Sequence, residues 1–269
     1  MSNIKDATVL ITGGASGIGK LMGEMCLEQG ARQLIIWDID ENKTVALVTS
    51  LRSQGYEVHY NILDLEKTEA IIKGAKEVLE KFGAIDLLFN NAGVVIGKDF
   101  TMHTHRDIDF TTNINVNALM HVTLEFLPVM ISRKKGHIIN IASAAGLMAV
   151  PKMAVYVASK HAVLGWSESL RLELETVSKN LHVTTVTPSF ISTGMFEGVR
   201  SPVIPLVTPE KAAKKIIKGV KRNKRYVRMP GIVYLVPFIK GVLPQRWFDV
   251  VAGKWFGFYK SMNTFRGRS

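Results

Sequence analysis

Short runs rich in Val, Ile and Leu alternate with longer amphipathic stretches along this chain, and no other feature constrains its fold as tightly. The runs at 7–12, 33–37, 57–61, 85–90, 137–142 and 182–187 read as strands, and 226–228 adds a short seventh at an edge. Between them, 18–29, 67–82, 115–132 and 156–178 read as helices. Strand and helix alternating at this spacing imply βαβ units, a parallel sheet and helices on both of its faces, which is the α/β class. The 269 residues hold no internal repeat and no Ser-, Gly- or Pro-rich linker, so one domain is expected over 1–269. Within it, 1–190 forms a core, 191–210 a loop and 211–269 a C-terminal region. Segment 192–209 is the one long non-periodic stretch, a length that usually marks a functional loop such as a lid.

Charge sets the C-terminal region apart. The chain carries a formal +11, from 34 Lys and Arg against 23 Asp and Glu. Residues 211–269 hold 15 of the basic residues and one acid, Asp249, a balance of +14 that leaves −3 for residues 1–210. A slightly acidic body with no recognition module argues against nucleic acid as a partner. The single Cys26 excludes an internal disulfide and a Cys-based zinc site, and it suits a reducing compartment; no metal is expected. The N-terminus shows no basic-then-apolar leader, and the most apolar tail stretch, 232–243, is broken by Pro237 and Lys240. The expected location is therefore cytoplasmic, with no spanning segment.

Two local patterns carry chemistry. Thr12-Gly13-Gly14-Ala15-Ser16-Gly17-Ile18-Gly19 follows the first strand and opens a helix. Glycines there let the backbone approach a pyrophosphate at the helix N-terminus. The second strand ends at Asp38, about 20 residues further on, where an acid can bind an adenosine ribose 2′-hydroxyl. A carboxylate at that point repels a 2′-phosphate and so favours NAD over NADP. The other pattern is Tyr156-Val157-Ala158-Ser159-Lys160, whose first and last residues share a helix face. A phenol with a pKa of about 10 is a weak acid or base at neutral pH, and a nearby ammonium stabilises its anion. That pairing suits proton transfer to or from an alcohol or ketone oxygen. Ser143, just past the fifth strand, can share the same oxygen.

The ordered set of TGGASGIG at 12–19, Asp64 after the third strand, Asn90-Asn91-Ala92-Gly93 after the fourth, Ser143 and YVASK at 156–160 resembles the short-chain dehydrogenase/reductase family over most of the chain. The resemblance implies a Rossmann-like doubly wound sheet of about seven parallel strands and a catalytic set of Ser143, Tyr156, Lys160 and an Asn. Asn115 best matches the fourth member, by its distance to Pro128, with Asn113 and Asn117 as alternatives. Tyr156 is then the acid/base. Lys160 lowers its pKa and holds the nicotinamide ribose, Ser143 orients the substrate carbonyl, and the Asn holds a proton-relay water. Along the cofactor, the resemblance implies Gly13, Ser16, Gly17, Ile18 and Gly19 at the pyrophosphate, with Asp38, Asp64 and Leu65 around the adenosine. It also implies Asn91, Ala92 and Gly93 along the cofactor's length, and Pro188, Ile191 and Thr193 near the carboxamide. Ser189 stands where the family's pattern has Gly, which puts the backbone of that turn in question.

The 192–209 loop and the C-terminal region are rich in apolar side chains, which suits a lipophilic alcohol or ketone as substrate. The closing run 260–268 is similar to the family's retinol and 17β-hydroxysteroid dehydrogenase branch. Alternatives are a 3-oxoacyl or polyol reductase of the same family, and a non-catalytic dinucleotide-sensing scaffold on the same fold. The family also implies a homodimer or homotetramer. Basic residues 211–225 followed by Tyr234, Phe238, Trp247, Trp255, Phe256, Phe258 and Tyr259 leave three settings for the tail: an anionic membrane surface, another subunit or only water.

Overall fold

A computed structural model describes residues 3–199, 206–255, 259, 261–262 and 264–267. Residues 200–205 of the long loop lie outside the described residues, as do Phe256, Phe258 and the side chain of Trp255.

Seven strands form one parallel sheet: β1 (Thr8–Thr12), β2 (Gln33–Asp38), β3 (Val58–Ile62), β4 (Leu87–Asn90), β5 (Gly136–Ile141), β6 (Leu181–Pro188) and β7 (Tyr226–Met229). Their order is β3-β2-β1-β4-β5-β6-β7, a doubly wound arrangement whose direction of winding reverses between β1 and β4. The central strands read as near-continuous apolar runs because both faces are covered. Helices α1 (Gly17–Glu28), α2 (Glu41–Ser53) and α7 (Pro209–Lys221) bury Met22, Cys26, Val48 and Ile216 on one face. Helices α3 (Thr68–Phe82), α5 (Ala118–Ser132) and α6 (Ala154–Val177) bury Ile71, Phe126 and Leu170 on the other.

The expected strands stand within a few residues of their places, and the seventh is a parallel edge strand paired to β6. The helix expected over 115–132 is the second half of a longer one. Helix α4 (His105–Thr112) runs through a π-helical turn at Asn113–Asn117 into α5, and α4 starts at a capping box between Thr104 and Asp107. The capping signal lies ten residues before the apolar period becomes visible, which is why periodicity alone placed the start too late. This 28-residue helix is long and apolar enough to cross a membrane, contrary to the expectation of no such segment. Ala118, Val122, Phe126 and Met130 are nevertheless buried against the sheet, as in a core helix.

The basic stretch 211–221 resolves into an amphipathic helix. Ala212, Ala213, Ile216, Ile217 and Val220 are buried, while Lys211, Lys214 and Lys218 are exposed. After β7 the chain forms α8 (Val236–Val242) and α9 (Gln245–Asp249). It then returns across the molecule, where Arg266 N donates to Glu197 O at 3.0 Å and Thr264 Oγ1 donates to Gly198 O at 2.5 Å.

Candidate active site

A cleft of about 570 Å³ runs along the C-terminal ends of the strands, over the point where the winding reverses. Open α/β sheets bind ligands there because the loops diverge on either side.

The glycine turn forms one wall. Gly13 and Gly17 have φ of +63° and +56°, in the left-handed region that favours glycine. A Cβ on Gly19 would stand 2.2 Å from Gly13 O, so the turn and the first turn of α1 pack closer than any side chain allows. Asn91 fastens this turn to the end of β4: its Nδ2 donates to Thr12 O at 2.9 Å and Gly13 O at 3.0 Å. The N–H groups of Asn91 and Ala92 in turn donate to Thr12 Oγ1 at 3.0 and 3.1 Å. The result is a glycine-rich cradle at a helix N-terminus, which fits a pyrophosphate. Asp38 lines the next part of the cleft, accepting from Ala15 N at 2.9 Å and Asp40 N at 3.1 Å. Asp64 and Leu65 lie beyond it, beside Glu66, which receives a bidentate pair of hydrogen bonds from Arg106.

At the other end, Ser143, Tyr156 and Lys160 are 8%, 4% and 4% exposed and line the cleft together. Lys160 Nζ lies 5.6 Å from the centroid of the Tyr156 ring and donates to Ile141 O at 3.0 Å. Ser143 Oγ accepts from Ala145 N at 3.1 Å. Burial pushes the Tyr156 phenol up to about 12, and the Ser143 hydroxyl hydrogen-bonded to it pulls only partly the other way. Burial also lowers the Lys160 ammonium, to about 8.

Asn115 stands apart from the lining. Its Oδ1 accepts from Val94 N at 2.8 Å, and its Nδ2 donates to Val94 O at 2.9 Å and Ser159 Oγ at 3.1 Å. Both amide hydrogens are thus taken. A Cβ on Gly93 would be 3.2 Å from Asn115 Oδ1 and 3.6 Å from Lys160 Nζ, so this glycine is all that separates the two. The alternatives Asn113 and Asn117 bond each other, Asn117 Nδ2 donating to Asn113 Oδ1 at 2.9 Å.

The remaining sequence candidates all line the cleft: Ser16, Ile18, Ala92, Pro188, Ile191 and Thr193. Ser189 keeps a negative φ and donates its N–H to Met229 O at 2.7 Å, so the turn closes without the glycine. Ile191 forms a bridge with Val207 that closes the base of the long loop.

Sequence reasoning missed Phe196, Lys43 and Glu66. The Phe196 ring meets Tyr156 edge-on at 6.1 Å and Phe190 at 5.3 Å. With Val150, Met153, Val199 and Met262 these rings enclose the Tyr156 end in an apolar cluster. The only sequence signal for Phe196 was its place in the long loop. Lys43 lines the cleft beside Asp38 and is paired with Asp40. Among the described residues, no group of three His, Cys, Asp or Glu is placed to hold a metal.

Known proteins share this arrangement. A model of the family described as short chain dehydrogenase matches residues 7–203. Epidermal retinol dehydrogenase 2 of Mus musculus is 33% identical over 99% of this chain and 87% of its own. Estradiol 17-beta-dehydrogenase 11 of Rattus norvegicus is 32% identical over 90% of this chain and 82% of its own. A short chain dehydrogenase/reductase of Burkholderia phymatum, solved with NAD, superposes with a TM-score of 0.80 at 28% identity, covering 88% of this chain and 93% of that one. A metagenomic short-chain oxidoreductase solved with NADP gives 0.69 at 29%, covering 81% and 92%.

Proposed function

The chain belongs to the short-chain dehydrogenase family, and from that premise we propose that it interconverts a lipophilic alcohol and its carbonyl, using NAD(H). It is an oxidoreductase related to retinol and 17β-hydroxysteroid dehydrogenases. The observation that carries the finer reading is the cleft itself. A glycine-rich cradle and Asp38 stand at one end, and buried Ser143, Tyr156 and Lys160 stand at the other within an aromatic, aliphatic enclosure.

Gly13, Ser16, Gly17, Ile18 and Gly19 would hold the pyrophosphate, and Asp38, Asp64 and Leu65 the adenosine. Asn91, Ala92, Gly93, Tyr156 and Lys160 would line the nicotinamide riboside, with Pro188, Ile191 and Thr193 at the carboxamide. Bound there, a nicotinamide dinucleotide supplies the hydride acceptor or donor. The chain's own part is orientation and proton transfer. The Tyr156 hydroxyl would give its proton to a carbonyl oxygen in reduction, becoming a phenolate, and that phenolate would take the proton back from an alcohol in oxidation. The Ser143 hydroxyl donates to the same oxygen, and Lys160, as a cation, favours the phenolate left after transfer. Asn115 fixes the strand-end backbone at Val94 that flanks Lys160. Phe190, Phe196 and Met262 exclude water from that end and favour an apolar substrate body.

The test is a turnover screen with NAD and with NADP across secondary alcohols of rising chain length, retinol and steroids. Rates that climb with chain length and with NAD support the reading. Preference for short polar alcohols, or for NADP, overturns it. A dinucleotide sensor would have no use for Ser143, Tyr156 and Lys160 held together against one cleft wall.

A further inference from the structure

Helix α8 is apolar on two neighbouring faces, offset by one residue and about 100° around its axis. Val236, Ile239 and Leu243 turn inward and pack with Phe248 against Met148. Leu235, Phe238 and Val242, at the same i, i+3, i+7 spacing, turn outward and are 51%, 70% and 63% exposed. Trp247 of α9 is 65% exposed as well. A helix on a protein surface normally turns a polar face to water. Ile232 and Tyr234, 38% and 42% exposed, add to this group within a span of 16 residues. A contiguous apolar surface of this kind marks a contact.

Charge identifies what the contact is with. Lys240 and Arg246 lie exposed within the same stretch. From residue 211 to 248 there is no acid at all. Asp249 accepts from Gln245 Nε2 at 2.8 Å and from Tyr259 Oη at 2.5 Å, so it is engaged locally. Aromatic and aliphatic side chains rimmed by Lys and Arg, without carboxylates, complement an anionic lipid interface.

We propose that the outer face of α8 and α9 lies on an anionic membrane surface, with Leu235, Phe238, Val242 and Trp247 among the acyl chains and Lys240 and Arg246 at the headgroups. The surface is tied to the segment that follows Ser143: Lys240 Nζ donates to Leu147 O at 3.3 Å. If the cleft has the substrate end assigned above, an apolar substrate reaches it from the bilayer. The lipid contact itself does not depend on that assignment, and its test reads no turnover.

The full chain is mixed with phosphatidylcholine vesicles with and without phosphatidylserine, and bound protein is measured by flotation. Binding is expected on the anionic vesicles. Phe238→Glu and Trp247→Glu together should reduce it by on the order of tenfold or more, the burial of a large aromatic being worth at least that factor. Lys240→Glu with Arg246→Glu should remove the preference for phosphatidylserine. Trp247 fluorescence should be quenched by brominated acyl chains. Because Phe238 and Trp247 face outward, their variants should unfold at the wild-type temperature, and a lower midpoint is answered by repeating the test with Phe238→Ser. The proposal is overturned by absence of vesicle binding, by equal binding of the variants, or by indifference to phosphatidylserine. Sedimentation showing that the apolar variants convert a dimer to a monomer also overturns it, since a second copy would then cover the face.

Discussion

Asp38 accepts a hydrogen bond from the backbone N–H of Ala15 at 2.9 Å, so the acid that ends β2 also braces the glycine turn that ends β1. One carboxylate thereby serves two purposes. It holds the cradle's shape, and its charge faces the place where an adenosine ribose would carry a 2′-hydroxyl or a 2′-phosphate.

Asp38→Asn separates the two purposes. Asparagine keeps an oxygen that can accept from Ala15 N, but it loses the charge. The ratio of kcat/KM for NADP over NAD should rise about tenfold or more, a change of roughly 1.4 kcal/mol. Lys43, paired with Asp40, lines the same end of the cleft and would meet a 2′-phosphate there, so Lys43→Ala in the Asp38→Asn background should reverse part of the gain. Steady-state kinetics with both dinucleotides checks this; an unchanged ratio would remove Asp38 from cofactor choice.

Tyr156→Phe removes the hydroxyl and keeps the ring that meets Phe196. Turnover should fall about 10²–10⁴-fold, the usual worth of a positioned proton donor. Dinucleotide affinity, read by quenching of protein fluorescence, should stay within a factor of a few. Near wild-type kcat would exclude Tyr156 as the acid/base.

Gly19→Ala and Gly165→Ala should move stability in opposite directions. At Gly19 the new Cβ meets Gly13 O at 2.2 Å, and backbone cannot step aside cheaply, so a loss of about 1–3 kcal/mol is expected together with loss of dinucleotide binding. Gly165 lies exposed inside α6 with nothing within 4 Å of an added Cβ. Alanine there should stabilise by about 0.5–1 kcal/mol, from helix propensity and a less flexible unfolded chain. Urea unfolding of both variants tests the pair.

His137 shapes the acid limb of stability. Burial, with a smaller contribution from His182, lowers it from 6.5 to about 3, and its Nε2 is 2.7 Å from Thr184 Oγ1. The unfolded chain therefore binds a proton that the folded chain refuses between those values. Stability is fully present above pH 6.5 and declines as pH falls toward 3, by several kcal/mol at the low end, on the order of 1.4 per unit. His137→Gln, which keeps a polar partner for Thr184, should flatten that decline in urea unfolding measured from pH 7 to pH 4. An equally steep decline would assign the acid limb to other groups.

Legibility from sequence followed locality. The glycine turn, Asp38, Asn91, Ser143 and the Tyr156–Lys160 face are each marked by a short local pattern at a strand end or on one helix face, and the strand–helix alternation that carries them repeats along the chain. Each was readable because strand ends, turns and helix faces obey local rules. The start of α4 was misplaced because its capping box precedes the apolar period.

What the sequence alone determined is the parallel sheet, its winding and the residues at its strand ends. Tertiary structure decided what those residues experience. Phe196 lies 40 residues from Tyr156 in the chain yet meets its ring, and Met262 and Phe265 come from the far tail to close beside Gly97. That enclosure raises the Tyr156 phenol and lowers the Lys160 ammonium, because desolvation acts on burial and burial depends on parts of the chain distant in sequence. The same holds for α8: its sequence is apolar but for Lys240, and only packing against Met148 and Phe248 decides which side is left facing outward.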